Sequence, residues 1–477
     1  MLNKVGYAVR ENCHLDPSQT VLLGVSGGPD SLTLLDVMYR LGYPLVVFHL
    51  NHGLRAEADE EAKMISEFVQ GMELPFFLEQ EDVSEYAREK GFSIEEAARN
   101  LRYQHLFTQA RAVGAHAVAV GHNADDQVET VLMHLLRGAG LSGLKGMQFS
   151  TLPSTWSKNI PLVRPLLGVW RKEIEAYVKE RNLEPVFDRS NLDTTFFRNR
   201  LRHKLIPYLE EYNPRIRDGI WRIARILEGD HQILMALVAD AWENCLKDQG
   251  VGFLAFDKNR LEAQPLGLKR HLVRRAIAYL RPGLRDVDFD TVQRVLNFLS
   301  HPTSTHQIDL GFGLRLFMEQ NKLYLAAWEA DLPKEDWPQI PEDGSLSLPI
   351  PGSLSLDSDW WLRAELWDDV AGARDQVFKN PNPYQAWLDI GRRQKELVVR
   401  PRHPGDRFQP LGMGGHSMKI SDFMINVKIP KRARERWPLV CLNDEVAWIP
   451  GLRLAQNYSV TESTRKVVYL VLEREPK

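Results

Sequence analysis

The chain has almost no cysteine. Cys13, Cys245 and Cys441 are scattered over 477 residues. That spacing makes neither a disulfide framework nor a Cys-x-x-Cys pair for redox or metal chemistry, so a reducing, cytoplasmic setting is expected. Long apolar runs are missing too. No stretch could span a bilayer, and Met1–Tyr7 contains no apolar signal region, so no membrane partner is expected. There is no internal repeat and no low-complexity tract. Net charge is almost absent, −3 at pH 7, but this conceals an uneven distribution. Residues 331–375 hold eleven acidic and three basic residues, whereas 391–440 hold twelve basic and four acidic. Residues 189–225 hold nine basic and four acidic. Local positive fields suit polyanions such as RNA. Solvated faces that partly neutralise each other are the other reading, and charge alone does not separate the two.

What is present is ordinary globular material. A content of 44% apolar and 26% charged residues lets each of two to four domains bury a core. From 20 to 200, short apolar runs alternate with helical periodicity. Strands are expected at 21–25, 44–50, 75–78 and 116–121, and helices at 32–41, 57–70 and 94–113. This alternation predicts an α/β fold, a doubly wound parallel sheet with ligands at the carboxyl ends of its strands. From about 205 to 300 the pattern reads as helical. Residues 332–352 hold five prolines and read as a linker. Short strands around a basic helix follow about 390. The expected domains are a catalytic one over 1–205, a helical RNA-binding one over 206–330, a linker or irregular β segment over 331–390, and a small α+β RNA-binding one over 391–477.

The most telling segment is Ser26-Gly27-Gly28-Pro29-Asp30-Ser31, placed between a strand and a helix start. A Gly-rich turn at a helix N-terminus offers backbone N–H groups and the positive dipole end to an anion. Ser26 and Ser31 add hydroxyl donors, and glycines permit close backbone approach. No Lys follows the glycines, so this is not a Walker A loop. It resembles the PP-loop of ATP pyrophosphatases, which cut ATP into AMP and pyrophosphate.

Four further constellations follow along the chain. The second strand ends in His49-Leu50-Asn51-His52-Gly53-Leu54-Arg55. Arg55 could bind phosphate and the histidines could hydrogen-bond, ligate metal or simply pack the loop. Glu95 and Glu96 precede Arg99, Arg102 and Tyr103 on one helix, where surface ion pairing competes with a functional role. Gly121-His122-Asn123-Ala124-Asp125-Asp126-Gln127-Val128-Glu129 opens another helix and sets Asp126 and Glu129 one turn apart. The pair could hold an amine or Mg²⁺ or cap the helix, and with His122 could ligate a metal, although the spacing matches no familiar zinc set. Asp188 to Arg202 interleaves Arg198, Arg200 and Arg202 with Phe196 and Phe197, a mix suited to phosphate and base contacts.

In this order, the motifs resemble the bacterial tRNA(Ile)-lysidine synthetase family over nearly the whole chain. Arg164-Pro165-Leu166-Leu167, Arg402 to Phe408, Lys428-Ile429-Pro430 and Trp448 to Gly451 also match it. The resemblance implies ATP-dependent joining of L-lysine to carbon 2 of the wobble cytidine in a tRNA(Ile) with a CAU anticodon. The base is first adenylated, and lysine then displaces AMP. Ser26, Gly27, Gly28, Pro29, Asp30 and Ser31, with His49 and Arg55, would bind ATP; Asp30 would also hold Mg²⁺. Asp126 and Glu129 would hold lysine, and one of them or Asp30 would take a proton from its ε-amine. Arg102 and Arg198 or Arg202 would offset charge or hold the anticodon backbone. Lys428, Lys431, Arg432, Arg434 and Arg436, in a helix-like segment, would grip tRNA phosphates. A homodimer is left open. The rivals are a tRNA thiolase, which would need paired cysteines, a glutamine-dependent amidotransferase, which would need a nucleophilic Cys, and a non-catalytic RNA-binding relic.

Overall fold

A computed structural model describes residues 1–51, 58–186, 193–284, 287–300, 307–319, 321–333, 337–341, 344–391 and 396–474. The chain divides into two compact units, Met1–Leu237 and Val238–Lys477. Among the described residues no helix is long and apolar enough to cross a membrane.

The first unit is built on β1 (Val21–Gly24), β2 (Leu45–Asn51), β3 (Phe76–Gln80), β4 (Ala117–Val120), β5 (Ser150–Thr151) and β6 (Leu162–Val163). Their order is β3-β2-β1-β4-β6-β5, parallel except at the β5 edge. The helices are α1 (Leu2–Tyr7), α2 (Pro29–Arg40), α3 (Ala58–Gln70), α4 (Val83–Lys90), α5 (Ile94–Ala112), α6 (Ala124–Leu136), α7 (Leu141–Leu144), α8 (Arg171–Arg181), α9 (Phe197–Arg200), α10 (Ile206–Tyr212) and α11 (Ile216–Cys245), whose residues from Val238 on belong to the second unit. β1, β2 and β4 are almost wholly buried, so they read as continuous apolar runs rather than alternating ones. One sheet face packs on α1, α2 and α8 through residues such as Leu34, Met38 and Ile174. The other packs on α4 and α5 through Leu101, Leu106 and Phe107. The expected doubly wound sheet is therefore present. Its topological switch falls between β1 and β4, because the chain runs outward from β1 to β3 and then returns to β4 on the other side.

The second unit is mainly antiparallel. It contains β7 (Leu246–Gly250), β8 (Phe253–Asp257), α12 (Lys258–Glu262), α13 (Leu266–Leu280), α14 (Phe289–Ser300), β9 (Gln307–Gly311), β10 (Leu314–Glu319) and β11 (Lys322–Ala327). The five strands pair as β7-β8-β11-β10-β9. The stretch read as helical thus contains two strands, β7 and β8. Phe253–Asp257 is buried at every position, and a short fully buried run has no period to distinguish strand from helix. The stretch read as a linker or irregular segment is also ordered into strands, β12 (Leu346–Pro349), β13 (Gly352–Ser355), β14 (Trp360–Trp367) and β15 (Gln385–Asp389). β12 pairs with β16 (Glu396–Arg400). Leu348, Leu397 and Val399 share one core with Trp448 and Leu470.

Candidate active site

The site grows from the tip of β1. Gly27 has φ +81°, a conformation that favours glycine, and it turns the chain away from the strand. Gly28 is the N-cap of α2, and Pro29 occupies the first helical position, where a missing N–H costs nothing. No side chain caps this helix start. Its first backbone N–H groups therefore have no side-chain acceptor. Ser31 Oγ donates to Gly28 O at 3.0 Å and accepts from Ser26 N at 3.2 Å, which closes the loop on itself.

The tip of β4 lies against this turn. A Cβ on Gly121 would sit 3.0 Å from the Asp30 carbonyl carbon and 3.1 Å from Ser31 N, both backbone atoms. A side chain there would force one of these backbone segments to shift by a few tenths of an ångström. Asn123 then fastens the two loops. Its Nδ2 donates to Asp30 Oδ1 at 3.0 Å, while its Oδ1 accepts from Asp126 N at 3.0 Å as the α6 cap. Asp126 Oδ2 completes the box by accepting from Asn123 N at 3.0 Å. Asp126 therefore caps with one oxygen and leaves Oδ1 to the cleft.

Asp126 and Glu129 share a face, as their spacing predicts. Glu129 is fully buried. Its Oε2 accepts from Arg198 Nε at 2.6 Å and its Oε1 from Arg202 Nε at 2.6 Å, with Arg202 Nη2 adding a bond at 3.1 Å. Both arginines also reach Asp126 Oδ1 at 3.4 Å. Arg198 comes from α9, and Arg202 from the π-helical turn Leu201–Leu205 that follows it. Burial pulls the Arg198 pKa down, but Asp126 and Glu129 outweigh it and the guanidinium stays charged. Burial raises the Asp30 carboxyl pKa; Arg171 opposes the shift and the nearby Asp126 adds to it. Arg171 Nη2 lies 3.5 Å from Asp30 Oδ2.

The structure thus brings Asp30, Asp126, Glu129, Arg198 and Arg202 together beside the open end of α2. Sequence reasoning gave no role to Asn123 or Arg171, and considered His122 only as a metal ligand beside the carboxylates. The signal for Asn123 was available, since Asn three residues before Asp at a strand-to-helix turn is a capping pattern. His122 follows Gly121 at the strand tip. Burial, then Arg164, Arg198, Arg99 and Arg102, push its pKa well below the ordinary value, so the ring is neutral. Its Nδ1 is buried without a hydrogen-bond partner among the described residues. Arg102 is exposed on α5 near this ring.

Other expected site residues have different company. His49 Nδ1 donates to Val25 O at 2.7 Å, which ties the ends of β1 and β2. Arg55 and His52, and the Asp188–Leu192 part of the arginine motif, lie outside the described residues. Among the described residues no three His, Cys, Asp or Glu side chains gather to hold a metal. In the second unit, only Lys431–Arg434 of the expected basic segment is helical; Lys428 has a positive φ and Arg436 lies beyond the helix. Lys428 and Lys431 are exposed. Arg432 is engaged with both Glu319 oxygens, Arg434 Nε with Ile429 O, and Arg436 with Ile340 O and Asp357. Charge counting along a sequence cannot see such partners, which lie up to 113 residues away.

The chain is similar to known proteins over its whole length. Residues 2–209 match the PP-loop domain model, and residues 397–471 match the TilS substrate C-terminal domain model. A tRNA(Ile)-lysidine synthase of Caldanaerobacter subterraneus subsp. tengcongensis is 32% identical over 100% of this chain and 98% of its own length. Those of Dehalococcoides mccartyi and Geobacter sulfurreducens are 33% and 34% identical, each over 98% of this chain, and over 98% and 95% of their own lengths. With an end-to-end match of this depth, and a Gly-rich cradle beside a buried carboxylate pair, the chain belongs to the tRNA(Ile)-lysidine synthase family.

Proposed function

We propose that this protein is an ATP-dependent ligase that attaches L-lysine to carbon 2 of the wobble cytidine in a tRNA(Ile) bearing a CAU anticodon, in the cytoplasm. The observation that carries the proposal is the uncapped α2 N-terminus, held against the β4 tip by Gly121 and Asn123, with Asp126 and Glu129 alongside.

In this reading Ser26, Gly27, Gly28 and Ser31 surround the departing pyrophosphate. Backbone N–H groups and the α2 dipole stabilise charge that builds up as the α-phosphorus is attacked by the cytidine carbonyl oxygen. Those groups are already in place, so little reorganisation accompanies the step. Arg55 and His49 remain part of the proposed ATP site, His49 through its hold on the strand tips. At Asp30 burial and the nearby Asp126 disfavour negative charge, and Arg171 and Asn123 oppose them, so phosphates placed beside it would call for a cation between. Mg²⁺ accompanying ATP would be held by Asp30 and phosphate oxygens, and would supply charge neutralisation.

Lysine is the second substrate. Its ammonium groups match what Asp126 and Glu129 already hold, namely the cationic N–H donors of Arg198 and Arg202. For lysine to enter, at least one guanidinium must give way. The RNA phosphate backbone and the adenylated base carry the negative charge that would receive it. One of the carboxylates, or Asp30, then accepts the ε-amine proton, because only the neutral amine attacks carbon 2 and expels AMP. Arg102 is proposed to offset charge at that centre. Lys428 and Lys431, which are exposed, are the proposed C-terminal RNA contacts; Arg432, Arg434 and Arg436, whose donors are engaged within the fold, would add only their positive field.

The thiolase alternative is disfavoured by the cysteines. All three are buried, and burial pushes the Cys13 thiol up to about 12 and the Cys441 thiol up to about 11. Thiols of that acidity carry no reactive thiolate near neutral pH. The deciding experiment incubates the protein with ATP, radiolabelled lysine and an unmodified tRNA(Ile) CAU transcript. Label should enter the RNA, with AMP and pyrophosphate released in equal amounts. RNA binding without AMP release would replace the proposal with a scaffold role.

A further inference from the structure

The second unit contains a long helix whose charge has a single sign. α13 carries Lys269, Arg270, Arg274 and Arg275 in 15 residues and has no Asp or Glu, in a chain whose net charge is −3. Its apolar side, Leu272, Val273, Ala276, Ile277 and Leu280, is buried in the unit. Arg274 and Arg275 are exposed on the opposite side. Among the described residues neither they nor Arg270 pairs with a carboxylate.

Aromatic rings hold two of these arginines. The Arg275 guanidinium lies 4.6 Å from the centre of the Trp242 ring, and that of Arg270 lies 5.3 Å from that of Phe289. A guanidinium packed on a ring loses rotamer freedom but keeps its N–H edge available for phosphate oxygens. Arg432 has a similar setting, over Tyr324 and Trp337, yet its donors are taken by Glu319. The contrast separates cations that hold the fold together from those available to a ligand. Lys269 and Arg281 fall in the first group, because Lys269 Nζ donates to Glu262 O and Arg281 to the Phe312 and Gly313 carbonyls.

We infer that the exposed side of α13, through Arg274 and Arg275 with the half-buried Arg270 at its edge, is a docking surface for the phosphate backbone of the RNA substrate. The inference rests on the RNA reading proposed above. A convex helix side suits an extended polyanion better than a small anion. Contacts of this kind add affinity and orientation and carry no base sequence information.

The test is an Arg274→Gln/Arg275→Gln double variant, whose changes lie on the surface and leave the buried apolar side intact. Binding of a full-length tRNA transcript is followed by fluorescence anisotropy across a KCl series. The slope of log affinity against log salt should fall by about 2, roughly one for each phosphate no longer neutralised. The weakening should be equal for transcripts with matched and altered anticodons, and Arg274→Lys/Arg275→Lys should restore it. Lysine incorporation at saturating RNA should be unchanged. If the double variant is unstable, Arg274→Glu alone, at a solvent-facing side chain, should weaken binding in the same direction. An unchanged affinity and slope overturn the inference. So does intact tRNA binding with weakened binding to phosphatidylglycerol vesicles, which would assign the surface to an anionic membrane. Failure of the wild-type protein to ligate lysine would instead overturn the functional reading, so the two failures are distinct.

Discussion

Glu129→Gln is the most informative single change. Glutamine preserves shape but removes a charge that accepts three bonds, from Arg198 Nε, Arg202 Nε and Arg202 Nη2. One amide oxygen can replace part of this; the amide NH₂ is left facing a guanidinium. Removing one partner of a buried pair costs about 3–5 kcal/mol when the remaining charge has no alternative. Here the arginine side chains are 28% and 18% exposed and keep Asp126 Oδ1 at 3.4 Å. The cost to folding should therefore be smaller, about 1–3 kcal/mol, read from the urea midpoint. The effect on lysine should be larger in proportion. A charge-assisted hydrogen bond contributes about 1.5–3 kcal/mol, so the lysine KM should rise about 10- to 150-fold. RNA-dependent pyrophosphate release without lysine should stay within about threefold of wild type, a difference of less than about 1 kcal/mol. A lysine KM within about twofold of wild type, a difference under about 0.5 kcal/mol, would refute the reasoning and leave Glu129 as a clamp for two arginines. An equal fall in pyrophosphate release would place it in the nucleotide step instead.

Gly121→Ala should uncouple the β4 tip from the nucleotide loop, because the added Cβ meets the Asp30 and Ser31 backbone at 3.0–3.1 Å, where no side chain can swing away. ATP use should fall at least about tenfold, with far-UV circular dichroism unchanged; wild-type ATP kinetics in this variant would argue against the close packing. Asp30→Asn should raise thermal stability near neutral pH while activity falls. Burial raises the Asp30 pKa, so its ionised form is disfavoured in the fold; that penalty is absent below the unfolded carboxyl pKa of 3.8 and full once pH exceeds the raised folded value. The stability gain should therefore shrink as pH falls through the carboxylate range. A variant less stable than wild type at neutral pH would show that the Arg171 contact outweighs burial.

The parts of this protein legible in its sequence are those set by local backbone chemistry. A buried strand, a glycine at positive φ, a proline at the first helical position and an Asn–Asp cap are dictated within a few residues, so the strand-turn-helix cradle and the first helix of the carboxylate pair could be read directly. The alternation of such units also decides the sheet. Tertiary structure decided the rest, because charge pairing and strand pairing act across distances that no local pattern records. Arg198, expected to offset charge at the reacting centre, and Arg202, expected to hold RNA, meet Glu129 from 69 and 73 residues away, so each is also a partner of the carboxylates. Arg432 and Arg436 look as free as Arg274 in the sequence, yet Glu319 and Asp357 occupy them. Which charges remain available to a ligand is a property of the folded surface, since a guanidinium desolvated against a carboxylate has already committed its donors.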